Sequence, residues 1–337
     1  MRLGPARAVR LLVLAVAVDA LLTAVLGSDE TGRFLSGETD GSALLGGAGL
    51  ALLVVLCLLL WRAVREVTVL SHADQPAEQR LDAIRRRTKA VISRREITVA
   101  LQPIVSFGSG RWVAVEALAR FGDGRPPDLW FAEAQEVGLG VELELVALHK
   151  QLDILGDLPS GVTLSVNASP ALVLDPRFRA AIDGVDMARL TVEITEHAAV
   201  HTYDEIRDVL LPLRERGLRL AVDDTGAGYA SFHHVLRLRP DSIKLDRSLL
   251  AHITSDPARR AFVTAIVLLG LELGASVTAE GVETPSELET LATLGVDYAQ
   301  GFLLARPSTQ RADWLRWRSR TWLRPVDHFT PQSQPRR

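Results

Sequence analysis

Six apolar runs of this chain each carry a polar residue, in nearly every case at or near the C-terminal end of the run. They are Glu116 in VAVEALAR, Asn167 in VTLSVN, Glu193 in LTVEIT, Asp223 in LAVDD, Lys244 in DSIKLD and Glu280 in VTAE. Asp224 follows Asp223 directly. A lone strand carboxylate reads as structural, satisfied by an arginine or by backbone groups. Five convergent acids are different, because they repel one another in a dry site, and divalent cations relieve that repulsion. All-oxygen donors, with Asn167 adding a carbonyl, favour Mg²⁺ or Mn²⁺ over zinc. Two such ions about 4 Å apart activate a water and stabilise a leaving oxygen, the standard device for hydrolysing a phosphodiester. His197, His201, His233 and His234 are the rival ligands. They lack the helical His-x-x-x-His pair of the zinc proteases, so a zinc–histidine site is the minor alternative.

Strands must position this set, because side chains alternate along a strand with period two. Val113, Val115 and Ala117 share one face of the first such run; Ala114, Glu116, Leu118 and Arg120 share the other. Val162, Leu164 and Val166 oppose Thr163, Ser165 and Asn167. The remaining four runs follow the same rule: an apolar face for surrounding helices, and a second face with a small residue two positions before the functional one. Asp223 and Asp224 would face opposite ways in a regular strand. Gly226 and Gly228 in the following TGAGY allow the backbone to turn there. Strands are expected over 98–105, 111–120, 162–167, 189–195, 218–223, 241–245, 276–280 and 296–302. Helices are expected over 129–138, 141–155, 203–216, 258–273 and 285–294. Strand–helix alternation over this length predicts a parallel α/β fold of the (β/α) TIM-like barrel type, its site at the C-terminal ends of the strands. No glycine-rich phosphate loop follows the first strand, and no solenoid or propeller repeat stands out.

The first part of the chain has another character. The 337 residues suggest one large domain with additions, or two domains. The segment 42–61 has no charged residue, and 9–27 has only Arg10 and Asp19; some 20 apolar residues of helix span a bilayer. The expectation is an α-helical transmembrane hairpin within 1–64. The first run is alternatively an uncleaved signal anchor or a cleavable signal peptide, although Leu26-Gly27-Ser28 is a poor cleavage site. Arg2, Arg7, Arg10, Arg62 and Arg65 flank the runs, while the connection holds Asp29, Glu30, Glu38 and Asp40 against Arg33. Positive charge stays inside, which predicts a multi-pass inner-membrane location, lipid contact, and the remaining chain in the cytoplasm. Asp19 is either functional or lies at a helix end or interface. Residues 65–96 read as a charged helical linker, paired in a dimer or simply solvated. Residues 97–322 form the barrel, and the proline-bearing tail 323–337 is expected to be disordered. The single cysteine, Cys57, excludes a disulfide framework. A net charge of −3 argues neither for nor against nucleic acid; DNA binding is not expected.

VEALARF (115–121) resembles the Glu-Ala-Leu motif of the EAL-domain phosphodiesterases, and the likeness extends in order through LQPIV (101–105), SVNAS (165–169), VEITEH (192–197), VDDTGAGYAS (222–231), IKLDRS (243–248), AEGVET (279–284) and DYAQGF (297–302). The resemblance covers roughly residues 90–320. It implies metal-dependent hydrolysis of cyclic di-GMP to linear pGpG, two Mg²⁺ or Mn²⁺ ions, and a homodimer through this domain. By the same resemblance Glu116, Asn167, Glu193, Asp223 and Asp224 are metal ligands. Glu280 is a further ligand or the general base, and Lys244 stands beside the attacking water or the scissile phosphate. Gln102, Arg120 and Gln300 hold the substrate, with Leu118 on the same strand face. Glu283 supports the ligands from behind, and Glu196 pins the loop after Asp224. The chain departs from the family's Asp-Asp-Phe-Gly-Thr-Gly at Thr225 and Ala227. Ala227 has no hydroxyl for Glu196 to bond, so activity is expected to be low or differently regulated, and a catalytically weak receptor of cyclic di-GMP is the alternative. No GGDEF-type cyclase sequence is seen, so synthesis of the dinucleotide is not expected.

Overall fold

The computed structural model describes residues 78–194, 203–225 and 230–323. The chain divides between Arg80 and Leu81, and the unit from Leu81 onward holds a closed barrel of eight strands in sequential order. The strands are β1 (Ile97–Ser106), β2 (Trp112–Phe121), β3 (Thr163–Asn167), β4 (Leu190–Ile194), β5 (Arg219–Thr225), β6 (Ser242–Leu245), β7 (Ser276–Ala279) and β8 (Tyr298–Ala299). Each of the eight expected runs forms a strand. The outward residues Val115, Leu164, Val192, Leu220, Ile243 and Val277 are at most 1% exposed.

A helix over 78–94, α1, precedes the barrel. Around it follow α2 (Pro127–Glu136), α3 (Gly140–Leu152), α4 (Pro170–Leu174), α5 (Pro176–Ala181), α6 (Tyr203–Arg214), α7 (Ala230–Leu238), α8 (Arg247–Leu250), α9 (Pro257–Leu273), α10 (Pro285–Thr293) and α11 (Arg311–Ser319). Proline opens α2, α4, α5, α9 and α10, where the missing N–H has no partner to lose. The expected helices correspond to α2, α3, α6, α9 and α10. The helices α4, α5 and α8 are too short for helical periodicity to announce them.

The strands are not all parallel, as had been expected. β1 runs antiparallel to β2 and to β8, while β2 through β8 are parallel. The reason lies in the connection: only residues 107–111 separate β1 from β2. A parallel crossover needs about a dozen residues or more, so the pair closes as a hairpin.

In α1, Ile84, Thr88 and Val91 are buried, a spacing that lays them on one side. Val91 joins a cluster with Ile97, Phe121, Trp130 and Leu143. Trp130 stacks on Phe121 with ring centroids 4.7 Å apart, and Arg87 lies over the Trp130 ring while pairing with Glu133. The linker helix therefore packs on the barrel's own apolar cluster.

The expected inner-membrane location is corrected: among the described residues no helix is long and apolar enough to cross a membrane. The helix α9 has 17 residues, fewer than the roughly 20 a span requires, and carries Arg259, Arg260 and Glu272. The hairpin with its runs 9–27 and 42–61, Asp19, and the tail beyond Leu323 lie outside the described residues.

Candidate functional site

The inward residues of the strands meet around Lys244. Its ammonium lies 2.6 Å from a Glu193 oxygen, 2.6 Å from Glu280, 3.3 Å from Asp223 and 3.7 Å from Glu116. Lys244 is 2% exposed. Such a cation is costly to bury unless paired, and here β2, β4, β5 and the residue after β7 each supply one partner. Four carboxylates against one ammonium leave a formal surplus of three negative charges.

Neutral amides complete the set. Asn167 donates from Nδ2 to Glu116 at 3.0 Å, and Gln300 donates from Nε2 to the other Glu116 oxygen at 2.6 Å. Gln300 also donates to Gln102 Oε1 at 3.0 Å, and Gln102 donates to the Ala305 carbonyl at 2.9 Å. Glu116 and Gln102 face each other across the β1–β2 ladder. Glu116 lies in the middle of its strand rather than at its end; Asn167, Glu193, Asp223 and Lys244 lie within two residues of theirs. Leu118 and Arg120 continue the Glu116 face of β2, both half-buried, with Arg120 bonded to the Ala119 carbonyl at 2.8 Å.

The electrostatics follow from burial. Burial pushes the Glu193 carboxyl up to about 8 against the pull of Lys244, and Glu116 and Asp223 push the same way. Burial likewise raises Glu280 well above the usual carboxylate range. Burial would raise Glu116 too, but Lys244 and the amides of Gln300 and Asn167 more than offset it and hold it below 4.5. Burial would lower Lys244, yet Asp223, Glu116, Glu193 and Glu280 keep it well above 10.5. Protons therefore stand on part of the cluster in place of the missing positive charge.

No group of three or more His, Cys, Asp or Glu side chains among the described residues is arranged to hold a metal ion as it stands; the ammonium of Lys244 stands where the carboxylates converge. In donor type the set nonetheless fits hard divalent cations, since carboxylates and an amide carbonyl are their preferred ligands, and an ion would take the place of the protons on the cluster. Among the rival ligands, His234 is buried and within 2.7 Å of the Tyr203 hydroxyl, a core pairing away from the cluster.

The strand β5 is irregular at the two adjacent aspartates. Its register against β6 slips between Val222 and Thr225: three residues of β5 pass while β6 advances from Ile243 to Leu245. That is a one-residue bulge, and it falls on Asp223-Asp224. Of Asp224 the backbone alone is described. Thr225 is fully buried, and its hydroxyl finds no hydrogen-bond partner among the described residues. Glu196, Ala227, Gly226 and Gly228 lie outside the described residues.

Glu283 stands apart from the cluster, 2.8 Å from Arg247 at the start of α8. Arg247 was not singled out in the sequence, although it sits in the IKLDRS block. Gly301 was missed as well. A Cβ there would meet the Val282 backbone oxygen at 2.1 Å and nitrogen at 2.2 Å. This close approach lets the Gln300 carbonyl accept from Val282 N–H at 3.0 Å, which fixes the backbone carrying Gln300. Its signal was the glycine directly after the glutamine in DYAQGF.

Residues 83–307 match the family described as EAL domain. The chain belongs to the EAL domain family. Among similar proteins is a cyclic di-GMP phosphodiesterase of Pseudomonas aeruginosa, 29% identical over 72% of this chain and 44% of the relative. The bifunctional diguanylate cyclase/cyclic di-GMP phosphodiesterase MucR of the same organism is 31% identical over 70% and 36% respectively. This chain spans less than half the length of these EAL relatives. Among solved structures, the MucR phosphodiesterase in complex with cyclic di-GMP superposes with a TM-score of 0.60 at 29% identity, covering 67% of this chain and 97% of that one. Klebsiella pneumoniae BlrP1 in complex with calcium and cyclic di-GMP gives 0.57 at 33%, covering 63% and 56%; its manganese complexes are similar to the chain in the same degree.

Proposed function

We propose that this EAL barrel is a metal-dependent phosphodiesterase that opens cyclic di-GMP to linear pGpG. The observation that carries the reading is the convergence of four carboxylates, from β2, β4, β5 and the residue after β7, on the buried Lys244, with a formal surplus of negative charge. The names of the relatives and the complexes of MucR and BlrP1 with the dinucleotide support it.

In this reading Glu116, Asn167, Glu193, Asp223 and Asp224 would hold two divalent ions, with Glu280 as a further ligand or the general base. When bound, Mg²⁺ or Mn²⁺ polarises a water and carries charge for the phosphoryl and leaving oxygens. The carboxylate of Glu280, at 19% the most open of the four, takes the proton given up as water attacks phosphorus. Lys244 fixes the directions of Glu193 and Glu280 by its two 2.6 Å contacts and keeps one positive charge beside the reacting phosphate. Gln300 and Gln102 lock Glu116 from the side, leaving Arg120 and Leu118 to meet the dinucleotide; a planar guanidinium suits a phosphate because it gives paired, charge-assisted bonds.

A second reading, a catalytically weak receptor of the same dinucleotide, is favoured by one observation. Thr225, at the position of the family's phenylalanine, carries a buried hydroxyl that has no hydrogen-bond partner among the described residues, where β5 breaks register.

Incubation of the full chain with cyclic di-GMP and Mg²⁺ or Mn²⁺, with pGpG followed chromatographically, separates the two. Turnover by the native protein, lost by roughly 100-fold or more in Glu280→Gln with unchanged circular dichroism, is the expected outcome. Dinucleotide binding without any product would favour the receptor; near-native turnover of Glu280→Gln would remove Glu280 from the proton transfer.

A further inference from the structure

Beneath the carboxylate cluster the barrel is hollow. Two positions before the functional residues stand Ala114, Ser165, Thr191, Ala221, Ser242 and Thr278, and all six line a cavity of about 260 Å³. Eight-stranded barrels are ordinarily filled by layers of bulky branched side chains. Here four of the six carry hydroxyls. The cavity reaches Glu193 and Lys244 at its upper end. At its lower end it is bounded by Gly161 and Arg219, both exposed, and by the half-buried Thr163, Asp241 and Tyr298. Exposure thus falls along its length, from the N-terminal ends of the strands to Ser165 and Thr278 at 3%. At about 30 Å³ per molecule the volume takes roughly eight waters, and a cavity with polar walls holds water where an apolar one stays dry.

We propose that this hollow is a water-filled shaft, open at the N-terminal face of the barrel, that supplies water to Lys244 and Glu193 from below while a ligand covers the opposite mouth. Its use, though not its existence, rests on the hydrolytic reading. Each phosphodiester bond cleaved consumes one water: its oxygen joins phosphorus, the P–O bond to the leaving oxygen breaks, one water proton ends on that leaving oxygen, and the second stays on the new phosphate oxygen until the monoester ionises to solvent. A bulky dinucleotide over the C-terminal mouth blocks replacement from that side, and the shaft does not pass through it.

The test uses the full chain with Cys57→Ser, which removes its single cysteine, and Ser165→Cys inside the shaft. The probe is methyl methanethiosulfonate, with adduct formation read by intact mass. The folded protein is expected to label, and at an unchanged rate when cyclic di-GMP and Ca²⁺, the pair bound by the Klebsiella relative, occupy the mouth; calorimetry on the same sample verifies that occupancy. Adding Ser276→Leu at the floor is expected to slow labelling roughly ten-fold, to the rate set by local opening. Thr163→Leu serves as a second plug, and circular dichroism identifies any variant that fails to fold. Protection by the dinucleotide, labelling undiminished by both plugs, or no labelling of the folded protein would overturn the shaft. Absence of dinucleotide binding would instead count against the functional reading, and the plug variants would still decide the shaft.

Discussion

The ammonium of Lys244 replaces, in the metal-free barrel, part of the charge that divalent ions would bring. Truncating one partner of a buried ion pair typically costs about 3–5 kcal/mol, because the other charge is left uncompensated. Lys244→Met is therefore expected to lower thermal stability strongly in EDTA, and excess Mg²⁺ or Mn²⁺ to recover much of the loss. Calorimetric melts with and without metal check this; an unchanged melting temperature in EDTA would mean that the carboxylates are already neutralised by protons. At this scale the sequence was informative wherever a strand imposed its period of two. Glu116, Asn167, Glu193, Asp223, Lys244 and Glu280 could be aimed at one interior from alternation alone, and the structure brings them together with Gln102 and Gln300. Arg247, at the start of α8, and Glu283, in the segment after β7, pair although far apart in sequence, and no local pattern encodes such a meeting.

The elements were legible where their periodicity ran long enough, as in all eight strands and the longer helices. Strand direction was not, because apolar alternation is the same whichever way a strand runs. The five residues 107–111 carried that information through their shortness. Nor was the bulge in β5 legible, since a one-residue slip is set by pairing with β6. The glycine after Gln300 shows how an element's end governs the site. Gly301→Ala is expected to push the segment away from Val282 and so loosen the hold of Gln300 on Glu116. The expected outcome is a lower melting temperature together with weakened Mn²⁺ binding, measured by calorimetry. Weakened stability with intact metal affinity would mean that Gln300 does not depend on this approach.

For the molecule as a whole, the raised carboxylates set a dependence on pH. Folded Glu193 holds its proton up to about 8, against 4.5 as its ordinary value. Between these limits the folded state keeps a proton that the unfolded chain releases, so metal-free stability falls as pH rises through that window. Glu280 acts in the same direction. Glu116, held low, acts only below about 4.5, where its contribution is lost as pH falls. Metal ligands must shed their protons to bind, and the ion then stabilises the state whose charge it neutralises. Melting temperatures in EDTA are thus expected to decline from about pH 5 to about pH 8, and the gain on adding Mg²⁺ to grow over the same range; a flat profile would contradict the protonated cluster. The reversed β1 has a mechanical consequence too. Ile97, at its beginning, lies opposite Phe121 at the far end of β2, so the chain joins the barrel at the rim near Arg120 and not at the floor. Three positions beyond α1, the backbone is already hydrogen-bonded along the strand that carries Gln102. Any displacement of α1 would therefore reach the wall that holds Glu116 through a short span of chain, whereas a parallel first strand would have delivered it to the opposite end of the barrel.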